Sequence, residues 1–190
     1  MTPLRFLASL LPLVLVATAA AADPGPPRGW FVAGSNPSGY KVGAAAAAGA
    51  KGKLAAYVKA RAGTRSDGFG TLMQCVGAEN YIGKRLRLRS RLKAVDAQAV
   101  QLWMRVDAGK EAVAFYNMAD DPLRGTSDWR ETQVVLDVPG GSTAICFGFF
   151  LAGGAGEAWA DDIALEMVGK DIPVSQMSMP KAPVNLGFDR

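Results

Sequence analysis

The stretch WRETQVVLDVPGGSTAICFGFFLAGGAGEAWADDIALEMV, residues 129–168, decides the fold. Apolar and polar residues alternate through much of it, and the alternation breaks at Pro139-Gly140-Gly141 and at Gly153-Gly154. Period two is the pattern of a strand with one buried face, and Gly/Pro clusters between such runs mark turns. The segment therefore reads as successive antiparallel strands of a β-sandwich, ending in Trp159-Ala160-Asp161-Asp162-Ile163.

The same logic extends upstream. From Lys84 to Lys93, Leu86, Leu88 and Leu92 fall on one face and Arg85, Arg87, Arg89, Arg91 and Lys93 on the other, so the leucines face a core. From Val100 to Asp107, Val100, Leu102, Met104 and Val106 point inward, which sends Gln101, Trp103, Arg105 and Asp107 outward. Leu54 to Ala60, Gly68 to Val76, Val113 to Met118, Thr132 to Val138, Ala144 to Leu151 and Glu157 to Val168 bring the expected strands to about eight. Gly109 and Asp120-Asp121-Pro122 supply further turns. Gly29 to Tyr40 reads as an irregular lead-in pinned by Trp30, and Ala44 to Ala50 as a permissive loop or one helical turn. With no sustained helical stripe, the class is all-β: a two-sheet antiparallel jelly roll.

Residues 1–22 read as a secretory signal. Arg5 gives the basic start, Phe6 to Val16 the apolar run, and Ala20-Ala21-Ala22 the small-residue cleavage site. The apolar run is too short to span a bilayer, so no membrane span is expected after cleavage, and the protein is placed outside the cytoplasm, secreted or periplasmic. Residues 23–29 form a linker, 30–169 the sandwich and 170–190 a proline-containing tail. Cys75 and Cys146 either bridge, as that compartment permits, or stay as small buried thiols. The chain has no histidine, which excludes a Ser-His-Asp triad, a Cys-His pair and His-based zinc sites. Asp161 and Asp162 are adjacent on a strand and would point to opposite faces, so they do not form a glycosidase pair. The chain is not expected to be an enzyme.

Gly68-Phe69-Gly70-Thr71-Leu72-Met73-Gln74, Tyr81-Ile82-Gly83-Lys84-Arg85, Leu102-Trp103-Met104-Arg105-Val106-Asp107, Asn117-Met118, Gly125-Thr126-Ser127-Asp128-Trp129 and Trp159-Ala160-Asp161-Asp162-Ile163 occur in this order. In them the chain resembles a bacterial family of galactose-binding-like β-sandwich modules, some labelled transcriptional regulators. The resemblance implies a jelly roll akin to carbohydrate-binding modules but no particular ligand. Two departures stand out. Ala44 to Ala48 replaces the acidic residue expected after Tyr40-Lys41-Val42-Gly43. The terminal Pro183-Val184-Asn185-Leu186-Gly187-Phe188-Asp189 is similar to the start of such a module's first strand, which implies a permuted connectivity with Leu186 and Phe188 packed as an added edge strand.

The outward row Gln101, Trp103, Arg105 and Asp107 suits a carbohydrate or similar polar ligand, with the indole as an exposed platform on the concave sheet and the polar groups bonding hydroxyls. Gln74, Tyr116 and Asn117 are candidates to share that sheet. The alternative is that Trp103 merely packs under the Met118 to Asp128 loop, and that the domain is structural or binds a protein partner. The ladder Arg85, Arg87, Arg89, Arg91 and Lys93 either meets an anionic polymer or is laced to acids such as Glu131, Asp137 and Glu166. Nucleic acid is not an expected partner. No cofactor is expected beyond a structural calcium at Asp161 and Asp162, whose rival role is capping loop amides.

Overall fold

A computed structural model describes residues 24–177, 182–183 and 185–188. The expected signal at residues 1–22 lies outside them. Nine strands form among these residues: β1 Phe31–Gly34, β2 Tyr40–Ala45, β3 Ala55–Ala60, β4 Phe69–Gly77, β5 Arg85–Ala108, β6 Glu111–Tyr116, β7 Leu123–Asp137, β8 Ala144–Ala152 and β9 Glu157–Val168. All pairings are antiparallel.

The two expected strands at Lys84–Lys93 and Val100–Asp107 are one strand of 24 residues, β5, which belongs to both layers. Its first half pairs with β9 and β7, giving sheet B in the order β2-β3-β9-β5-β7. Its second half pairs with β8 and β6, giving sheet A in the order β1-β4-β8-β5-β6. Between the halves the register against β7 slips three times, around Ala94 and Ala97, and Asp96 takes a positive φ of 48°. Bulges bend a strand and increase its twist, which carries β5 round from one sheet to the other and makes the sandwich nearly a barrel.

The alternation read from the sequence holds. Leu86, Leu88 and Leu92 are fully buried, and they meet Leu102, Met104, Phe149 and Leu151 from the facing sheet. Burying each such side chain contributes about 1.5 to 3 kcal/mol. Tyr40 joins the core and donates its hydroxyl to the Gly153 carbonyl at 2.8 Å.

Both chain ends differ from expectation. The Gly29 to Tyr40 lead-in supplies a strand after all, since Phe31–Gly34 pairs with β4 at the edge of sheet A. The described residues of the tail supply none. Asn185 and Phe188 take positive φ values of 50° and 58°, and the Phe188 amide donates back to the Asn185 carbonyl, so the segment turns instead of extending. Leu186 and Phe188 are 76% and 90% exposed, which removes the permuted edge strand. Val184 lies outside the described residues. The first part of the tail is anchored: Arg85 donates to the carbonyls of Lys170 and Ile172, and Ser175 exchanges hydrogen bonds with the free edge of β7 at Val135.

Candidate functional site: an aromatic groove on sheet A

Outward side chains of sheet A line a groove of about 750 Å³. Its floor begins with Trp103, which is not the exposed platform the sequence suggests but is only 8% exposed. Its packing partners Met73, Cys146, Ala33 and Phe150 stand on strands of the same sheet, so the indole lies down on its own sheet. Trp103 and Met73 both stand in register with Gly148 on the strand between them. A Cβ on Gly148 would collide with the Leu72 carbonyl and the Met73 backbone, so the glycine keeps that strip of sheet clear. Trp103 Nε1 donates to Thr71 Oγ1 on β4 at 2.9 Å, and Thr71 in turn donates to the Phe149 carbonyl at 3.0 Å. The buried N–H is thereby satisfied, as a buried indole requires.

Beside the indole, Cys75 and Cys146 form a disulfide between directly opposed positions of β4 and β8, with Cα atoms 4.1 Å apart. Cys146 is buried while Cys75 faces solvent along the groove. Phe31, Phe69, Phe115 and Phe150 rise around this floor; the first three are large apolar side chains open to solvent. Phe69 and Phe150 pack with ring centroids 5.4 Å apart.

Among the sequence candidates, Arg105 and Asn117 line the groove. Asp107 binds Arg105, Nε to Oδ1 at 2.9 Å, which fixes the guanidinium at the groove's end. Gln101 is buried on the same face, where its amide donates to the Asn117 carbonyl at 2.7 Å and orients that segment. Two candidates are elsewhere. Gln74 alternates away from Met73 and Cys75 and donates to the Gly29 carbonyl. Tyr116 pairs with Met104, on the core side of the sheet. Burial, and then its 2.6 Å hydrogen bond to Asp120, push its phenol up to about 12. The phenylalanine rim went unread because its members are scattered over four strands, each a single outward aromatic. The Phe115 position, alternating with Tyr116, was the available signal.

The arginine ladder faces outward on sheet B and is laced to acids. Arg85 grips Asp137 through Nε and Nη2, both at 2.9 Å. Those bonds, against the opposing effect of burial and with help from Lys170, hold the Asp137 carboxyl down to about 2. Arg87 and Arg89 share Glu166 at 2.7 and 2.8 Å, and Arg89 also reaches Asp162 at 2.9 Å. Both carboxyls are lowered, chiefly by the Arg89 hydrogen bonds. Arg91 lies over the Trp129 ring, 5.4 Å from its centroid, and donates to the Gly49 carbonyl. Lys93 approaches Asp128 at 3.9 Å. Of the three acids named from the sequence, Glu131 binds Lys51 instead of the ladder.

Asp161 and Asp162 do not point to opposite faces. Asp162 has a positive φ of 53°, and the register slips opposite it between Arg89 and Arg91, so both carboxylates approach Lys51. Asp161 Oδ2 accepts the backbone amides of Lys51 and Gly52, while Asp162 takes the Lys51 ammonium at 3.4 Å. One oxygen of each carboxylate, Oδ2, is engaged by N–H donors, so the pair acts as an amide cap and an ion pair. Among the described residues no three His, Cys, Asp or Glu side chains gather to hold a metal.

No protein-family model matches the chain. An uncharacterised HTH-type transcriptional regulator of Bacillus subtilis (strain 168) is 38% identical over 168 residues, taking in 85% of this chain and 57% of the regulator. This chain thus spans little more than half of that relative's length. Helix-turn-helix units need two α-helices, and the described residues contain only two three-residue 3-10 turns. Among solved structures, a xylan-binding domain of carbohydrate-binding module family 22 aligns with a TM-score of 0.55 at 12% identity, covering 78% of this chain and 93% of that one. A family 4 carbohydrate-binding module aligns at 0.53 and 17%, covering 77% and 92%. Tailspike protein 4 of bacteriophage CBA120 aligns at 0.56 and 13%, covering 74% of this chain and 20% of the tailspike domain. The fold is that of the carbohydrate-binding-module β-sandwiches. No helix among the described residues is long and apolar enough to cross a membrane.

Proposed function

We propose that the chain is a non-catalytic module that binds a carbohydrate across the groove of sheet A. The observation that carries this reading is the ring of four phenylalanines around a rigid Trp103 floor, with Arg105, Asp107 and Asn117 at one end. Pyranose rings present an apolar C–H face that packs on aromatic side chains, and hydroxyls that bond to fixed polar groups. Charge neutralisation of Arg105 by Asp107 favours an uncharged sugar in this groove. The shared sandwich fold supports the class of ligand without choosing a member of it. Residues 1–22 and the Cys75–Cys146 bridge support action outside the cytoplasm, where disulfides persist.

The solvent-open phenylalanines also suit a protein partner, which is the competing reading. A glycan-array screen of wild type beside Phe115→Ala and Arg105→Ala separates the two. Wild type should retain at least one neutral glycan that both variants lose. An array on which wild type binds nothing, or binds equally well after both substitutions, overturns the carbohydrate reading.

A further inference from the structure

We propose that the opposite face of the sandwich carries a second site, for an acidic sugar residue bearing a carboxylate among hydroxyls. The inference rests on sheet B alone and does not depend on the groove of sheet A. A cleft of about 390 Å³ opens there, lined by Lys51, Arg87, Arg89 and Arg91 together with Glu131 and Asp162.

The three arginines alternate along β5, about 7 Å apart, and are held by groups that leave part of each guanidinium over. Glu166 takes Nε and Nη2 of Arg87 and Nε of Arg89; Asp162 takes Nη1 of Arg89, and the Gly49 carbonyl takes Nη1 of Arg91. Nη1 of Arg87 and Nη2 of both Arg89 and Arg91 stand outside these bonds. The donors are therefore fixed before any ligand arrives, which lowers the ordering cost of binding. Lys51 is brought to the cleft because Asp161 caps its backbone amide. Its side chain remains 57% exposed.

The charge pattern selects the ligand class. Four cations surround the cleft against two lining carboxylates and Glu166, which holds Arg87 and Arg89 from beside it, so one net positive charge is left over and a single negative charge is favoured. Glu131 and Asp162, with Thr132 and Gln133 beside them, add acceptors and amide or hydroxyl groups that hydroxyl-rich ligands can bond. A single-stranded DNA instead presents phosphodiesters with no hydroxyl donors beside the charge, which would leave Glu131 and Asp162 facing like charge without a donor to bond. One carboxylate flanked by hydroxyls satisfies both sets.

The test is calorimetric titration of the whole chain with polygalacturonate, its fully methyl-esterified form, dextran sulfate and a single-stranded oligonucleotide. The proposal expects binding to polygalacturonate and none to the neutral ester. Lys51→Gln and Arg91→Gln should each weaken it about tenfold, the loss of one charge-assisted hydrogen bond. Phe115→Ala should leave it unchanged, so the failure of either site is distinguishable from failure of the other. Lys51→Gln alters an exposed side chain and keeps the test valid where Arg91→Gln is poorly folded. Absence of polygalacturonate binding overturns the proposal. Equal binding of the ester does so too, as does tighter binding of dextran sulfate or the oligonucleotide, or binding that survives both cation substitutions.

Discussion

Trp103 shows how one side chain can be read correctly for face and wrongly for exposure. Alternation put it outside the core, and it is outside, yet Gly148 lets it lie flat against the sheet and bond Thr71. Gly148 lies on β8, directly paired with β5 but three strands later in the chain, so the period-two pattern of β5 alone did not reveal it. Trp103→Ala should therefore destabilise by about 3 to 5 kcal/mol, as large buried aromatics do, where an exposed platform would leave the melting temperature nearly unchanged. Phe115 is 54% exposed, and Phe115→Ala should reverse the pattern: little change in melting by calorimetry, and ligand binding weakened roughly tenfold, or about 1.4 kcal/mol. Asp137 makes a pH prediction. Its carboxyl is held at about 2 when folded, against about 3.9 in an unfolded chain, so the unfolded state takes up the proton first. The stabilisation is complete above about pH 4 and is lost as the pH falls through about 2. The melting temperature of wild type should exceed that of Asp137→Asn from pH 5 to 7 by a constant margin that shrinks between pH 4 and 2. A margin independent of pH would show that the Arg85 pair does not set it.

Among the elements, β6, β8 and β9 were legible because short apolar-rich runs are bounded by Gly or Pro. β5 was not, since its 24 residues far exceed an ordinary strand and its apolar pattern lapses between Lys93 and Val100. The missing clue was negative: Ala94-Val95-Asp96-Ala97-Gln98-Ala99 contains neither Gly nor Pro, so nothing there demanded a turn. The start of β7, read as a loop, pairs across this same bend, at Ala94↔Ser127 and Ala97↔Gly125. The tail failed in the opposite direction: Leu186 and Phe188 alternate, but alternation without a partner edge specifies nothing. A chain truncated after Met177 should melt with the full-length protein. Truncation after Gly169 removes the carbonyls that Arg85 binds and the Ser175 contacts with β7, and should melt lower. Equal melting of all three would show these anchors to be without effect.

For the whole molecule, period-two patterning over most of the chain was enough to give the sandwich, because each strand's apolar face requires a second layer. What patterning did not hold was how the outer faces differ. Sheet A turns an apolar, aromatic groove outward and sheet B an ion-paired, cationic cleft, and that contrast arises from which strands become neighbours, not from any one of them. The charged ladder was visible residue by residue, while the groove's rim drew on β1, β4, β6 and β8 at once. The most direct test of the carbohydrate reading is amide chemical-shift mapping of the isotopically labelled protein during titration with the neutral glycan that binds most tightly on the array. The account predicts shifts concentrated at Thr71, Met73, Trp103, Arg105, Phe115 and Phe150, with Arg87 and Arg89 unmoved. Shifts confined to sheet B or to the loops, with the groove silent, would contradict it.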